Sequence, residues 1–164
     1  TIIQMSQQYD LNLEEILGGE LEYLSVIDKL QKREEFGEWL LKTAHKMNQA
    51  INQERDITTR QVIQQAKQYI MDNYQNPDLS VEMICRHLHM SPAYFSTMFK
   101  KETGQAYIAY LTEIRLNKAV ELLNKTDDKT YVIASKVGYQ EQNYFSYVFK
   151  KKFGVSPTKF RGAR

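Results

Sequence analysis

Ala93, Ser96, Thr97 and Lys100 fall at i, i+3, i+4 and i+7, the spacing that puts side chains on one face of a helix. Fifty positions later Asn143, Ser146, Tyr147 and Lys150 repeat that spacing, with Gln142 just before them. Lys101, Lys151 and Lys152 adjoin the two stripes, and Ser91 stands ahead of the first. Small side chains let a helix backbone come close to base edges. Hydroxyl and amide groups hydrogen-bond to those edges, and lysines neutralise phosphates. The chemistry available to such stripes is recognition of a duplex polyanion rather than bond making.

Both stripes belong to a repeated phrase. Tyr94 to Gly104 reads YFSTMFKKETG and Tyr144 to Gly154 reads YFSYVFKKKFG, with seven of eleven positions identical. A repeat of this length points to one supersecondary unit used twice. Phe95, Met98 and Phe99 in the first copy, and Phe145, Val148 and Phe149 in the second, fall opposite the polar stripes and are the expected core face. Ser80 is placed to cap a helix over 81–88. Ser91-Pro92 opens a second helix that Gly104 stops. In the second copy the corresponding helices are expected over 130–136 and 141–152, with a turn at Gly138 and a stop at Gly154; Ser156-Pro157 opens a last turn. Each pair has the layout of a helix-turn-helix. An unbroken helix over 106–125 joins them. About twenty residues span ~30 Å at 1.5 Å per residue, close to the roughly 34 Å between successive major grooves on one face of B-DNA.

The chain has 164 residues, 42% of them hydrophobic and 26% charged, ordinary for a globular protein. Prolines stand only at 77, 92 and 157, so the expected fold is all-α. Its two helix-turn-helix subdomains, at about 79–104 and 129–154, share the long linking helix and follow a small helical segment. No apolar run is long enough for a membrane span. One cysteine, Cys85, excludes an intramolecular disulfide and fits a reducing cytoplasm. The net charge of +2 conceals an asymmetry: residues 1–56 carry six Lys/Arg against eleven Asp/Glu, and residues 57–164 carry sixteen against nine. A basic domain over 57–164 therefore follows an acidic regulatory segment over 1–56. In that segment helices are expected around 11–17 and 20–33. A third carries Phe36, Trp39, Leu40, Ala44, Met47 and Ile51 on one face, as core or as a homodimer seam. The polar stretch 52–58 reads as a linker, followed by a helix over 59–74 that Asn76-Pro77 ends.

Nothing in the chain reads as catalytic machinery. Cys85 sits at a small core position, where a lone cysteine behaves as an inert hydrophobe. His87 and His89 lie near it without completing a four-ligand set, so neither metal nor cofactor is expected. Glu14-Glu15 and Glu34-Glu35 point about 100° apart along their helices and do not pair as acid and base. Arg115 and Lys118 on the linking helix are positioned either for phosphate contact or, for Arg115, a structural ion pair. Lys100, Lys101, Lys150, Lys151 and Lys152 are assigned to phosphates.

Residues 57–164 resemble the DNA-binding domain of the AraC/XylS family of bacterial transcription regulators. Met90-Ser91-Pro92-Ala93-Tyr94-Phe95 and Phe99 to Gly104 resemble its first unit, and Ala119-Val120-Glu121-Leu122-Leu123 its linking helix. Val132-Ile133-Ala134, Val137-Gly138-Tyr139, Asn143-Tyr144-Phe145 and Gly154-Val155-Ser156-Pro157 resemble its second. Residues 1–56 are similar to the segment between receiver and output domains in YesN-like response regulators. The resemblance implies a non-enzymatic transcription regulator, an activator or dual regulator, that reads double-stranded DNA with helices starting near Pro92 and Glu141. Three positions depart from it. Thr97 and Tyr147 stand where the family often has arginine, and His89 replaces the usual turn glycine. Without arginine, Gln142 and Asn143 favour adenine, so the site is expected to lean toward A·T pairs. The alternative is a protein-interaction module that contacts RNA polymerase or a partner regulator. An enzyme would rest on Cys85 alone, since methyl-acceptor repair proteins join cysteine chemistry to a similar domain.

Overall fold

The computed structural model describes residues 33–162 together with Ser6, Leu11, Asn12 and Ile16. Apart from those four isolated positions, the helices expected around 11–17 and 20–33 lie outside the described residues. The chain forms two compact units, Thr1–Arg60 and Gln61–Arg164. Every described element is a helix: α1 Arg33–Asn73, α2 Val81–His87, α3 Pro92–Thr103, α4 Tyr107–Lys125, α5 Thr130–Lys136, α6 Gln142–Phe153 and α7 Pro157–Gly162. None of them is long and apolar enough to cross a membrane.

The expected linker over 52–58 is helical, inside α1. Asn, Gln, Glu and Arg are polar but do not break a helix, and neither Gly nor Pro intervenes between Gly37 and Pro77. Polar side chains there bond to one another at helical spacing, as Asn52 Nδ2 does to Asn48 Oδ1 at 3.5 Å. Within the first unit burial follows a narrower stripe than expected. Thr43, Met47 and Ile51 are buried at i, i+4 and i+8, whereas Phe36, Leu40 and Ala44 are exposed.

In the second unit local chemistry sets the helix ends. Asn76 Oδ1 accepts from the Asp78 amide at 3.0 Å, turning the chain at the proline that cannot continue α1. Ser80 Oγ accepts from the Met83 amide and Ser91 Oγ from the Tyr94 amide, each at 3.4 Å. Gly104 and Gly154 close α3 and α6 in the left-handed region, at φ 77° and 80°. The two turns are built alike. The Met90 amide reaches back to the Cys85 carbonyl at 3.0 Å, and the Tyr139 amide to the Ala134 carbonyl at 2.9 Å, the reverse bond that closes a helix through a left-handed residue. That residue is His89 in the first turn, φ 53°, and Gly138 in the second, φ 87°.

Two cores result. The first gathers Ile63, Ala66 and Ile70 of α1 with Ile84, Phe95, Phe99, Leu111 and Ile114. The second gathers Leu116, Ala119 and Leu123 with Ile133, Val137, Phe145 and Phe149. The repeated phenylalanines are fully enclosed in both, with ring centroids 5.3 Å apart in one pair and 5.7 Å in the other. The second core is closed by α7, whose Phe160 meets Phe149 edge-on at 5.5 Å.

Gly138 and Gly104 share a left-handed backbone but not their surroundings. A Cβ on Gly104 would meet nothing within 4 Å. On Gly138 it would collide with the Tyr74 carbonyl oxygen and lie 2.9 Å from Arg115 Nε. Gly104→Ala should therefore cost about 1–2 kcal/mol, the left-handed penalty alone. Gly138→Ala should cost about 1–3 kcal/mol more through overpacking. Denaturant midpoints of the two variants, at unchanged slope, measure the difference.

Candidate nucleic-acid interface

Burial of the phenylalanine face fixes which side of each repeated helix meets solvent. On α3, Phe95, Met98 and Phe99 are buried, so Ala93, Ser96, Thr97, Lys100 and Lys101 are exposed. Ser96, Thr97, Lys100 and Lys101 line one shallow depression. Thr97 Oγ1 donates to the Ala93 carbonyl at 3.1 Å, which leaves its lone pairs facing outward. Ser91 is exposed at the helix start; its oxygen is held by the Tyr94 amide, and its own hydrogen remains free to donate. On α6, Phe145 and Phe149 are buried. Gln142, Asn143, Tyr147, Lys150, Lys151 and Lys152 are exposed and Ser146 is half-buried.

Lysines gather in the last turn of both helices, Lys100 and Lys101 on α3 and Lys150, Lys151 and Lys152 on α6. The helix dipole favours them there. Among the described residues Lys100, Lys101, Lys150 and Lys151 have no acidic partner within ion-pair distance. Lys152 does: its Nζ lies 3.1 Å from Glu113 Oε1 on α4. Lys152, with Gln105, holds the Glu113 carboxyl below the usual carboxylate range. Lys152 thus has an acidic partner within the chain, unlike the other four lysines expected at phosphates. Lys118, too, pairs within its own helix, 3.1 Å from Glu121.

Arg115 is the larger correction. It is only 8% exposed, so it is not presented to a phosphate, and among the described residues it makes no ion pair either. Its Nε donates to the Tyr74 carbonyl at 2.8 Å and a terminal nitrogen to the Asn76 carbonyl at 2.7 Å. The guanidinium lies over the Tyr139 ring, 5.5 Å from its centroid. Burial lowers its pKa, opposed by Tyr139 and Tyr107, yet a guanidinium stays charged through the physiological range.

Three further exposed side chains adjoin the polar stripes or the linking helix. Tyr94 and Tyr144 open the two copies of the repeat and are about 60% exposed. Identity at matched, solvent-facing positions was the available signal. Ile108 on α4 is 61% exposed and lines a groove between α4 and α6 with Thr112, Tyr144, Tyr147 and Lys151. Tyr147 thus borders this groove as well as the polar stripe.

Cys85 is 3% exposed. Burial first, and the Glu82 charge second, push its thiol pKa up, the opposite of what a reactive cysteine requires. An aromatic disulfide reagent should label it at least roughly a hundredfold more slowly in the native protein than in denaturant. Equal rates would show that the thiol is accessible.

Residues 84–163 match a family model described as a helix-turn-helix domain. The chain is 30% identical over 122 residues to the arabinose operon regulatory protein of Escherichia coli K12, covering 74% of this chain and 40% of that protein. The C-terminal domain of AraT, a response regulator from Geobacillus stearothermophilus, superposes with a TM-score of 0.61 at 44% identity, over 63% of this chain and 85% of that one. The C-terminal domain of the two-component response regulator YesN from Fusobacterium nucleatum does so with a TM-score of 0.59 at 34% identity, over 63% and 98%.

Proposed function

The chain belongs to the AraC/XylS family of transcription regulators, and from that premise we propose that it binds double-stranded DNA site-specifically through α3 and α6 together. The observation that carries this reading is the duplicated surface. Two helices built on matching phenylalanine cores present polar side chains outward and end in lysines, of which Lys100, Lys101, Lys150 and Lys151 have no acidic partner among the described residues. α4, nineteen residues long, spans about 28 Å at 1.5 Å per residue, which suits successive major grooves on one face. Ser96 and Thr97 on α3, and Gln142, Asn143, Ser146 and Tyr147 on α6, read base edges, while Ala93 lets the backbone approach. Ser91, Lys100, Lys101, Lys150 and Lys151 hold phosphates. Neither outward stripe contains arginine, the usual partner of guanine, whereas Gln142 and Asn143 match adenine. The preferred site therefore leans toward A·T pairs.

Residues 57–164 are the DNA-binding domain in this reading, and the acidic residues 1–56 couple it to a regulatory input. Exposed Phe36, Leu40 and Leu41 on α1 supply apolar surface for a homodimer there. The rival reading, a module that contacts RNA polymerase or a partner regulator, draws its support from the groove carrying Ile108, Tyr144 and Tyr147.

Selection of random duplex DNA at about physiological salt should return two A·T-leaning elements roughly ten base pairs apart. Replacing Lys100 and Lys150 together by alanine should weaken binding and reduce the slope of log K against log salt by roughly two. No enrichment, with an unchanged slope in the double variant, would favour the protein-contact reading instead. A G-rich consensus under both helices would sink the A·T preference alone.

A further inference from the structure

A single rod joining two bodies fixes their separation but leaves each free to swivel about the rod. α4 enters both cores, with Ile114 in the first and Leu116 in the second. Arg115 lies between them. Its guanidinium reaches toward both subdomains. It donates to the Tyr74 and Asn76 carbonyls, just beyond the end of α1, whose Ile63, Ala66 and Ile70 belong to the first core. Its face covers Tyr139, which belongs to the second core.

Gly138 brings the second turn against the same carbonyl, since any Cβ there would strike the Tyr74 oxygen. Outside this contact Gln140 Nε2 reaches Asp78 Oδ1 at 3.4 Å. The turn so held leads into α6 only three residues later. The first subdomain is therefore tied to the start of the second recognition helix at a point off the α4 axis. Two attachments remove the swivel that one would leave.

We propose that Arg115 is a positioning residue for DNA specificity: by clasping the end of α1 to the turn before α6, it sets the angle between the two recognition helices and so the spacing of half-elements that the protein accepts. The inference depends on both helices reading DNA as proposed above. Inserting one base pair between half-elements rotates one against the other by about 34° and shifts it about 3.4 Å. A rigid pair of readers cannot follow that change, whereas a swivelling pair can.

The test uses the full chain and duplexes carrying the selected consensus with the spacer shortened by one, unchanged, or lengthened by one or two base pairs. The wild type should lose about tenfold or more in affinity for each altered spacer. Arg115→Met keeps the stem and removes every donor. It should bind the original spacing about tenfold more weakly and show less than about a threefold difference among spacers. Arg115→Lys retains charge and one carbonyl bond and should fall between them. If the methionine variant lacks the wild-type helical circular dichroism, Arg115→Lys carries the test, with a spacing preference weaker than that of the wild type. A variant that is weaker by one factor at every spacer would overturn the proposal and leave Arg115 a purely structural residue. A wild type indifferent to spacing would remove the two-helix reading itself, and this inference with it.

Discussion

α4 has to satisfy two hydrophobic cores in succession, with two different faces. Leu111 and Ile114 turn into the first, and Leu116, Ala119 and Leu123 into the second. Arg115 lies between Ile114 of the first core and Leu116 of the second, beside the Tyr74 and Asn76 carbonyls. A long side chain with an apolar stem and a head able to satisfy orphaned carbonyls fits that point. Arg115 supplies it. Each subdomain is small, and a core of a few tens of residues is marginal alone. Sharing one helix and one buried guanidinium lets each lean on the other.

The repeated phrase shows how far duplication carries a fold. Both copies keep two enclosed phenylalanines, a left-handed glycine stop and an outward polar stripe. They differ at the margins. α3 has a serine cap and a proline at its start, whereas α6 begins after Glu141 with no side-chain cap bond. The second copy instead receives α7 against Phe149 and Phe153. Local signals define the first recognition helix, and tertiary packing makes up for their absence in the second.

That division explains what could be read from the residues alone. Ser80, Ser91, Gly104 and Gly154 act on neighbours within four positions, so the helices they bound were legible to within a residue or two. The outward stripes were legible because the phenylalanine spacing dictates their opposite. The continuity of α1 through 52–58 was not, since a polar stretch looks the same whether it is helix or loop. Nor was the buried stripe at Thr43, which depends on what covers it. The contacts that Arg115 and Lys152 make within the chain were not legible, for a shared reason. Their partners lie 39 to 41 positions away, and two of those partners are backbone carbonyls, which leave no mark in any side-chain pattern.

The two turns carry unequal histories forward. At His89 the left-handed conformation faces solvent, so asparagine, aspartate or glycine could replace the imidazole with little loss. At Gly138 the same conformation is pressed against a carbonyl and a guanidinium, and no side chain fits. Two units that began alike are thus exposed to different rates of neutral drift. The first turn can wander through several residue types over generations of descent, while the second is held still by a neighbour more than twenty positions away.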